Sequence, residues 1–263
     1  LHQTFLFPGL ELMQPAILLT NDDGIHSPGF DALESALSHL GAVTIVAPDR
    51  EMSASSQSLT LNTPLRYHQI TPNRYAVTGT PADCVILAAI KILSERPALV
   101  ISGINRGLNV GDDIAYSGTV AGALEGSLQG MAAMAISTYS RDVEPDYASA
   151  AKVAARLAAK ILQDGLPPDV VLNVNFPKDW NGALRLTRQG RRAGKTVLVE
   201  NMDPRGREYF WLHEELHHPN VSVNGDDPLT DYAAIRSGYV SVCPLQLDRT
   251  ATPYLERFTK WLG

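Results

Sequence analysis

AILLTNDDG, residues 16–24, sets a buried strand and its exit loop near the front of the chain. Ala16–Thr20 is a short apolar run with no polar alternation, the pattern of a strand buried on both faces. Asn21-Asp22-Asp23-Gly24 leaves it as a tight exit loop. Ser27-Pro28 then opens a helix, with the serine as N-cap and the proline at the first helical position. Phe30, Leu33, Leu37 and Leu40 then fall on one helical face, and Val43–Ala47 is a second apolar strand. Residues 48–64, rich in Ser, Thr and Pro, read as a long loop with at most one short strand.

The alternation continues. A strand over Tyr75–Thr78 leads into a helix capped by Thr80, with Asp83 in its first turn. Ala98–Ser102 is a strand, followed by a loop from Gly103 to Gly118 that contains four glycines. A helix over Thr119–Gln129, a strand over Ala133–Ser137, an Ala-rich helix over Tyr147–Leu162 and a strand over Val170–Phe176 complete the series. Short apolar strands alternating with helices predict an α/β fold, a doubly wound and mostly parallel sheet in a core spanning 14–178. Beyond Pro177 the texture changes. TVLVEN and EYFWLH, around 196–212, predict a hairpin arm; Asp231–Arg236 is a short helix, Gly238–Cys243 a strand and Pro253–Leu262 a closing helix. Residues 179–263 are expected to form an arm and tail for contacts between subunits, packed with the core as one domain. Residues 1–13 read as an extension ahead of an expected start at Met13.

Composition narrows the function. At 263 residues with 44% hydrophobic and 19% charged residues, the chain is too apolar for general disorder. A net charge of −6 without a basic stripe argues against duplex nucleic acid as a partner. No apolar run reaches the roughly 18 residues that cross a bilayer, so no membrane is expected. Cys84 and Cys243 match no metal-ligand spacing and read as small buried side chains in a reducing compartment. The expected location is the cytoplasm.

The candidate chemistry lies at strand ends, where open α/β sheets bind ligands. Asp22 and Asp23 follow the first strand; adjacent carboxylates repel unless a cation or protons neutralise them, although a solvated Asx turn alone would also explain them. Asp49, Arg50, Glu51 and the hydroxyls of Ser53, Ser55, Ser56 and Ser58 follow the second. Gly103, Asn105, Arg106 and Asn109 follow the ALVIS strand. Tyr116-Ser117-Gly118-Thr119 opens a helix whose first amides suit an anion. Hard oxygen ligands suit Mg²⁺ or Mn²⁺, and beside an anion site they predict metal-assisted chemistry on a phosphate ester. Neither a phosphate-binding Gly-Lys-Ser/Thr loop nor a dinucleotide GxGxxG is present.

ILLTNDDGIHSPG, VAPDREMSASSQSLT, VTGTPADCV, VISGINRG and YSGTVAGALEG, with LNVNFP and GYVSVCPLQLD later, stand in the order and spacing of the SurE family of survival-protein nucleotidases. The resemblance covers about residues 14–250. It implies a Rossmann-like three-layer αβα core and a C-terminal hairpin with a swapped tail that builds homodimers or homotetramers. It also implies one divalent cation per subunit, held by Asp22, Asp23, Ser53 and Asn105, and hydrolysis of nucleoside 5′- and 3′-monophosphates. The two aspartates are then the catalytic pair, with one of them taking the proton of the attacking water. Asn21, Gly103, Arg106, Asn109, Ser117, Gly118 and Thr119 are expected around the phosphate. Two departures stand out: the His that follows the PLxxDxT segment in many relatives is absent, and residues 1–12 match nothing in the family. His213, His217 and His218 read as part of a solvated arm. Tyr116 is a candidate to stack on a base. Alternatives are a phosphatase of short polyphosphate or sugar phosphates and, more remotely, a metal-binding regulatory module of the receiver type; the latter needs an Asp where the ALVIS strand ends in Ser102-Gly103.

Overall fold

The computed structural model describes residues 14–191, 195–215 and 227–262. The extension 1–13 lies outside them, as do His217 and His218, and of His213 only the backbone is described. A nine-stranded sheet forms the centre: β1 (Ala16–Thr20), β2 (Ala42–Pro48), β3 (Tyr67–Thr71), β4 (Arg74–Val77), β5 (Leu99–Arg106), β6 (Ala132–Thr138), β7 (Val170–Phe176), β8 (Leu184–Leu186) and β11 (Val240–Gln246). The spatial order is β3-β4-β2-β1-β5-β6-β7-β11-β8. From β4 to β7 every pairing is parallel, while β3 on β4 and β11 on β7 are antiparallel. This is the doubly wound, Rossmann-like α/β sheet expected, with antiparallel additions toward both edges.

Pleating sorts the core into two layers. Ile17 and Leu19 of β1, Leu99 and Ile101 of β5, and Met134 and Ile136 of β6 face α1 (Pro28–Leu37) and α4 (Tyr147–Asp164), where Phe30, Leu33, Leu37 and the alanines of α4 meet them. The intervening residues Leu18, Val100, Ala133 and Ala135 face α2 (Pro81–Leu87) and α3 (Gly118–Leu128). Buried on both faces, these strands have no reason to alternate in polarity, which is why they read as continuous apolar runs. The helix starts follow the expected chemistry. Ser27 accepts from Gly29 N, and Thr80 and Asp83 form a reciprocal capping box. Cys84 and Cys243 are buried and unpaired.

Three differences from the sequence reading have local causes. β3 is exposed along its whole length, so no apolar pattern marks it; it exists through its pairing with β4. The ALVIS strand does not end at Ser102: β5 runs on to Arg106 through Gly103, whose φ of +136° lies where only glycine sits easily. An added Cβ there would fall 2.2 Å from the Ile136 carbonyl oxygen of β6. The run that follows also contains a short 3-10 turn at Gly111–Ala115. No helix among the described residues is long and apolar enough to cross a membrane.

β9 (Lys195–Met202) and β10 (Glu208–Glu215) pair only with each other, in an antiparallel hairpin apart from the main sheet. Leu198, Val199, Met202, Tyr209, Phe210, Trp211 and Leu212 on it are exposed. After α5 (Asp231–Arg236) the chain returns to the sheet as β11 and ends in α6 (Leu255–Leu262), which buries none of its residues and exposes Leu255, Phe258, Trp261 and Leu262.

Candidate active site

β2 lies on one side of β1 and β5 on the other, so the winding direction of the sheet reverses between β1 and β5. The carboxyl ends of the strands open there into a crevice, the usual ligand position in such sheets. A cleft of about 650 Å³ occupies the place, lined by Asp22, Asp23, His26, Ser27, Pro28, Glu51, Ser53, Ala54, Asn105, Arg106, Asn109, Asp113, Tyr116, Ser117, Glu144, Pro145 and Tyr147.

Its floor is the loop after β1. Asn21 is fully buried; its Nδ2 donates to the Gly24 carbonyl at 3.1 Å and its Oδ1 accepts from Gly24 N at 3.0 Å, which closes the turn. Both ends of this amide are committed inside the loop, so Asn21 shapes the floor from behind. Asp22 is only 6% exposed. Its carbonyl accepts from Met52 N at 2.8 Å, and its carboxylate accepts the hydroxyl hydrogen of Thr119. Burial raises the Asp22 carboxyl above the ordinary range, while the Thr119 hydroxyl and the amides of Thr119 and Gly118 pull it back. Asp23 accepts from Arg106 N at 3.0 Å. Burial, more than the neighbouring charges of Asp22 and Glu51, pushes its carboxyl up to about 6. Both adjacent carboxyls are displaced upward, burial outweighing the hydrogen bonds to each and the Arg106 charge beside Asp23.

The structure thus gives the start of α3 to Asp22. Ser117 caps the helix by accepting from Val120 N at 3.0 Å, and it lines the cleft. Thr119 is buried beneath Asp22, and Gly118 packs flat on it. Ser53 is exposed on the opposite lip and donates to Glu51 Oε1 at 2.6 Å. The half-buried Asn105 donates through Nδ2 to the Gly107 carbonyl at 2.8 Å, leaving Oδ1 as its uncommitted end. The carboxylates of Asp22 and Asp23, the Ser53 hydroxyl and the Asn105 amide oxygen therefore border one cleft, a set of hard oxygen donors. Arg106 is exposed at its edge. Gly103 lies in β5 behind it.

Asn109 enters the cleft from a polar scaffold that sequence reasoning missed. Its amide donates to Asn175 Oδ1 at 2.8 Å, and its carbonyl accepts from Asn173 Nδ2 at 2.8 Å and Asn175 Nδ2 at 3.1 Å. Its Nδ2 donates to Ser137 Oγ at 2.8 Å. The signal was present in LNVNF: two asparagines at alternate positions of an otherwise apolar strand share a face and need buried partners. Farther out, the buried Asp231 carboxylate accepts from Gly111 N at 2.8 Å, Gly190 N at 2.9 Å and Tyr232 N at 2.8 Å. It ties the 3-10 turn beside the cleft to the root of the hairpin. Glu144, Pro145 and Tyr147 also escaped the reading, although they follow β6 and so stand at the end of a fourth neighbouring strand. His26 escaped because it follows the acidic loop without a motif of its own.

The comparisons agree with this geometry. The family described as survival protein SurE matches residues 17–196. The 5′-nucleotidase SurE of Geobacter sp. (strain M21) is 47% identical over 248 residues, covering 93% of this chain and 98% of the relative. That of Syntrophotalea carbinolica is 47% identical over 246 residues, covering 93% and 96%. The crystal structure of the SurE protein from Aquifex aeolicus superposes with a TM-score of 0.83 at 41% identity, covering 95% of this chain and all of the other. With the fold, the cleft and these relatives in agreement, the chain belongs to the SurE family.

Proposed function

We propose that this chain is a metal-dependent phosphomonoesterase that converts nucleoside 5′-monophosphates, and 3′-monophosphates, to nucleoside and phosphate. The observation that carries the reading is the convergence, at the β1/β5 switch point, of four hard oxygen donors with the capped start of a helix. Curated relatives of nearly the same length bear the name 5′-nucleotidase.

The donor set fits one hard divalent cation, Mg²⁺ or Mn²⁺, held by Asp22, Asp23, Ser53 and Asn105. The two upward-shifted carboxyls are the groups whose charge such an ion would satisfy. When bound, the ion supplies Lewis-acid polarisation of a phosphoryl oxygen and lowers the pKa of a water. The chain supplies the rest. Asn21 fixes the loop that aims the two aspartates, and one of them takes the proton of the attacking water. Gly118 and Thr119 hold Asp22 in place. Arg106, Asn109 and Ser117 line the cleft and supply donors to the phosphate oxygens, where charge grows as the bond to the leaving oxygen breaks. Gly103 lets β5 deliver Asn105 and Arg106 to the rim.

The same reading extends to assembly. A lone two-stranded hairpin is marginal in water, and this one carries seven exposed large apolar side chains. With α6, also uncovered, it is the contact through which the chain forms a homodimer or homotetramer, residues 14–178 being the catalytic core and 179–263 the assembling arm and tail. The setting is the cytoplasm.

The test is phosphate release from AMP and other nucleoside monophosphates, ribose 5-phosphate and tripolyphosphate, in EDTA and then with Mg²⁺ or Mn²⁺ restored. Asp22→Ala runs beside the wild type. Metal-restored release from nucleotides that the variant loses is the expected result. Release from tripolyphosphate or sugar phosphate alone would replace the substrate, and no release from any ester would overturn the enzymatic reading.

A further inference from the structure

Tyr116 is the unusual residue of the cleft. Its backbone is held on both sides. Tyr116 N donates to the Asp113 carbonyl at 3.0 Å, and its own carbonyl accepts from Ser56 N at 3.0 Å. Ser56 Oγ also donates to the preceding carbonyl, that of Ala115, at 2.8 Å. Ser56 lies three residues beyond Ser53, so these bonds fix Tyr116 to the segment that brings Ser53 to the cleft. On its other side Tyr116 adjoins Ser117, the cap of α3, whose Cα is only about 3.8 Å away. The residue is thus anchored to the Ser53–Ser56 segment on one side and to the start of α3 on the other.

The side chain, by contrast, is left over. It is 59% exposed while lining the cleft. Among the described residues neither a hydrogen bond to its hydroxyl nor an aromatic or cation–π contact to its ring is found. With its backbone pinned, the ring has only two χ angles left to order, so it offers a flat surface at low entropic cost on binding. The charge around the cleft says what kind of group meets it. Besides the paired aspartates the lining carries the carboxylates Glu51, Asp113 and Glu144 against one arginine, Arg106. A second phosphate beyond the first would be repelled by those carboxylates, whereas an uncharged ring would not.

We propose that Tyr116 is a specificity residue for the nucleotidase reaction: the nucleobase of a nucleoside monophosphate stacks on its ring while the phosphate sits at the Asp22–Ser117 end of the cleft. The inference rests on the function proposed above and names the part of the site that distinguishes a nucleotide from other phosphate esters. Stacking needs only the π-face, so purines and pyrimidines are both accepted and the larger purine ring gains more.

The experiment compares kcat/KM for AMP and for ribose 5-phosphate, with saturating Mn²⁺, in wild type, Tyr116→Ala and Tyr116→Phe. The wild type is expected to prefer AMP. In Tyr116→Ala that preference collapses, with kcat/KM for AMP falling about tenfold to a hundredfold, mostly through KM. Tyr116→Phe, which keeps the face and loses the hydroxyl, retains the preference. If Tyr116→Ala lowers both substrates equally, the ring is a structural prop and the proposal fails. It fails also if the AMP preference survives in Tyr116→Ala, or is lost in Tyr116→Phe, which would assign the effect to the hydroxyl. A wild type inactive on every ester would sink the nucleotidase reading and this proposal together. A wild type that hydrolyses AMP and ribose 5-phosphate equally would sink only the proposal.

Discussion

Substituting Gly118 by alanine tests the central claim with a single methyl group. The new Cβ would lie 2.7 Å from Ser55 Oγ, 2.8 Å from Asp22 Cβ and 2.9 Å from Asp22 Oδ2. Ordinary van der Waals contact begins near 3.4 Å, roughly 0.5–0.7 Å farther out. Ser55 can swing its hydroxyl aside. Asp22 is held by its carbonyl to Met52 N and by its carboxylate to Thr119, so its relief is a displacement of the carboxylate itself. Misplacement by 1 Å at a reacting centre costs about a hundredfold in rate, so half that distance predicts a loss of about tenfold in kcat/KM. Folding changes less. Overpacking costs about 1–3 kcal/mol, and the better helix propensity of alanine returns up to about 1 kcal/mol, leaving a net loss of about 0–2 kcal/mol. The assay is AMP hydrolysis across a Mn²⁺ titration, with thermal melting alongside. The expected result is a folded protein that needs more Mn²⁺ and stays about tenfold slow at saturation. A variant with the wild-type Mn²⁺ midpoint and wild-type kcat/KM would refute the placement of Asp22 at the reacting centre.

Other perturbations separate the scaffold from the chemistry. Gly103→Ala drives a Cβ to within 2.2 Å of the Ile136 carbonyl at a φ of +136°, and should abolish soluble expression; a well-folded variant by circular dichroism would contradict the strand geometry. Asp231→Ala strands three amide donors, those of Gly111, Gly190 and Tyr232, and should cost about 3–5 kcal/mol in urea unfolding. A loss under about 1 kcal/mol would mean that water replaces the carboxylate. Asn175→Ala removes both the acceptor for Asn109 N and a donor to its carbonyl, and should raise KM for AMP more than it lowers kcat; the opposite split would place Asn109 in the chemical step. Trp211→Glu with Trp261→Glu puts charge on the uncovered faces of hairpin and tail, and light scattering should then report monomer; an unchanged mass would remove the arm from assembly.

What was legible in the sequence follows from how each feature is held. The parallel strands were readable because burial on both faces leaves them uniformly apolar, as in AILLT and ALVIS. The helix starts were readable because capping is local: Ser27, Thr80 and Ser117 each bond an amide two or three residues on. Features that depend on distant partners were not. β3 takes its existence from β4, and the continuation of β5 past Ser102 depends on β6. The loops grouped from the sequence border one cleft because strand ends converge in this class of sheet. From the sequence, the amides and hydroxyl at the start of α3 are expected to face a phosphate; the structure turns Thr119 and Gly118 toward Asp22, a contact across 97 residues that spacing does not reveal. The Asn173–Asn175–Asn109 scaffold spans 66 residues at its widest and was hidden for the same reason.

The position of β11 has a consequence for synthesis. β7 ends at Phe176, yet the strand that covers its outer edge finishes at Gln246, after the excursion through the hairpin. At roughly 5–20 residues per second, the intervening 70 or so residues take about 4–14 s to emerge from a ribosome. Throughout that interval β1, β2 and β4–β7 can assemble with VVLNVNF as an open, largely apolar border. Such a border is a template for pairing with another nascent chain. The vulnerable moment for this protein therefore falls during translation of its last third, and chaperone demand should rise with any change that slows the return of Val240–Gln246.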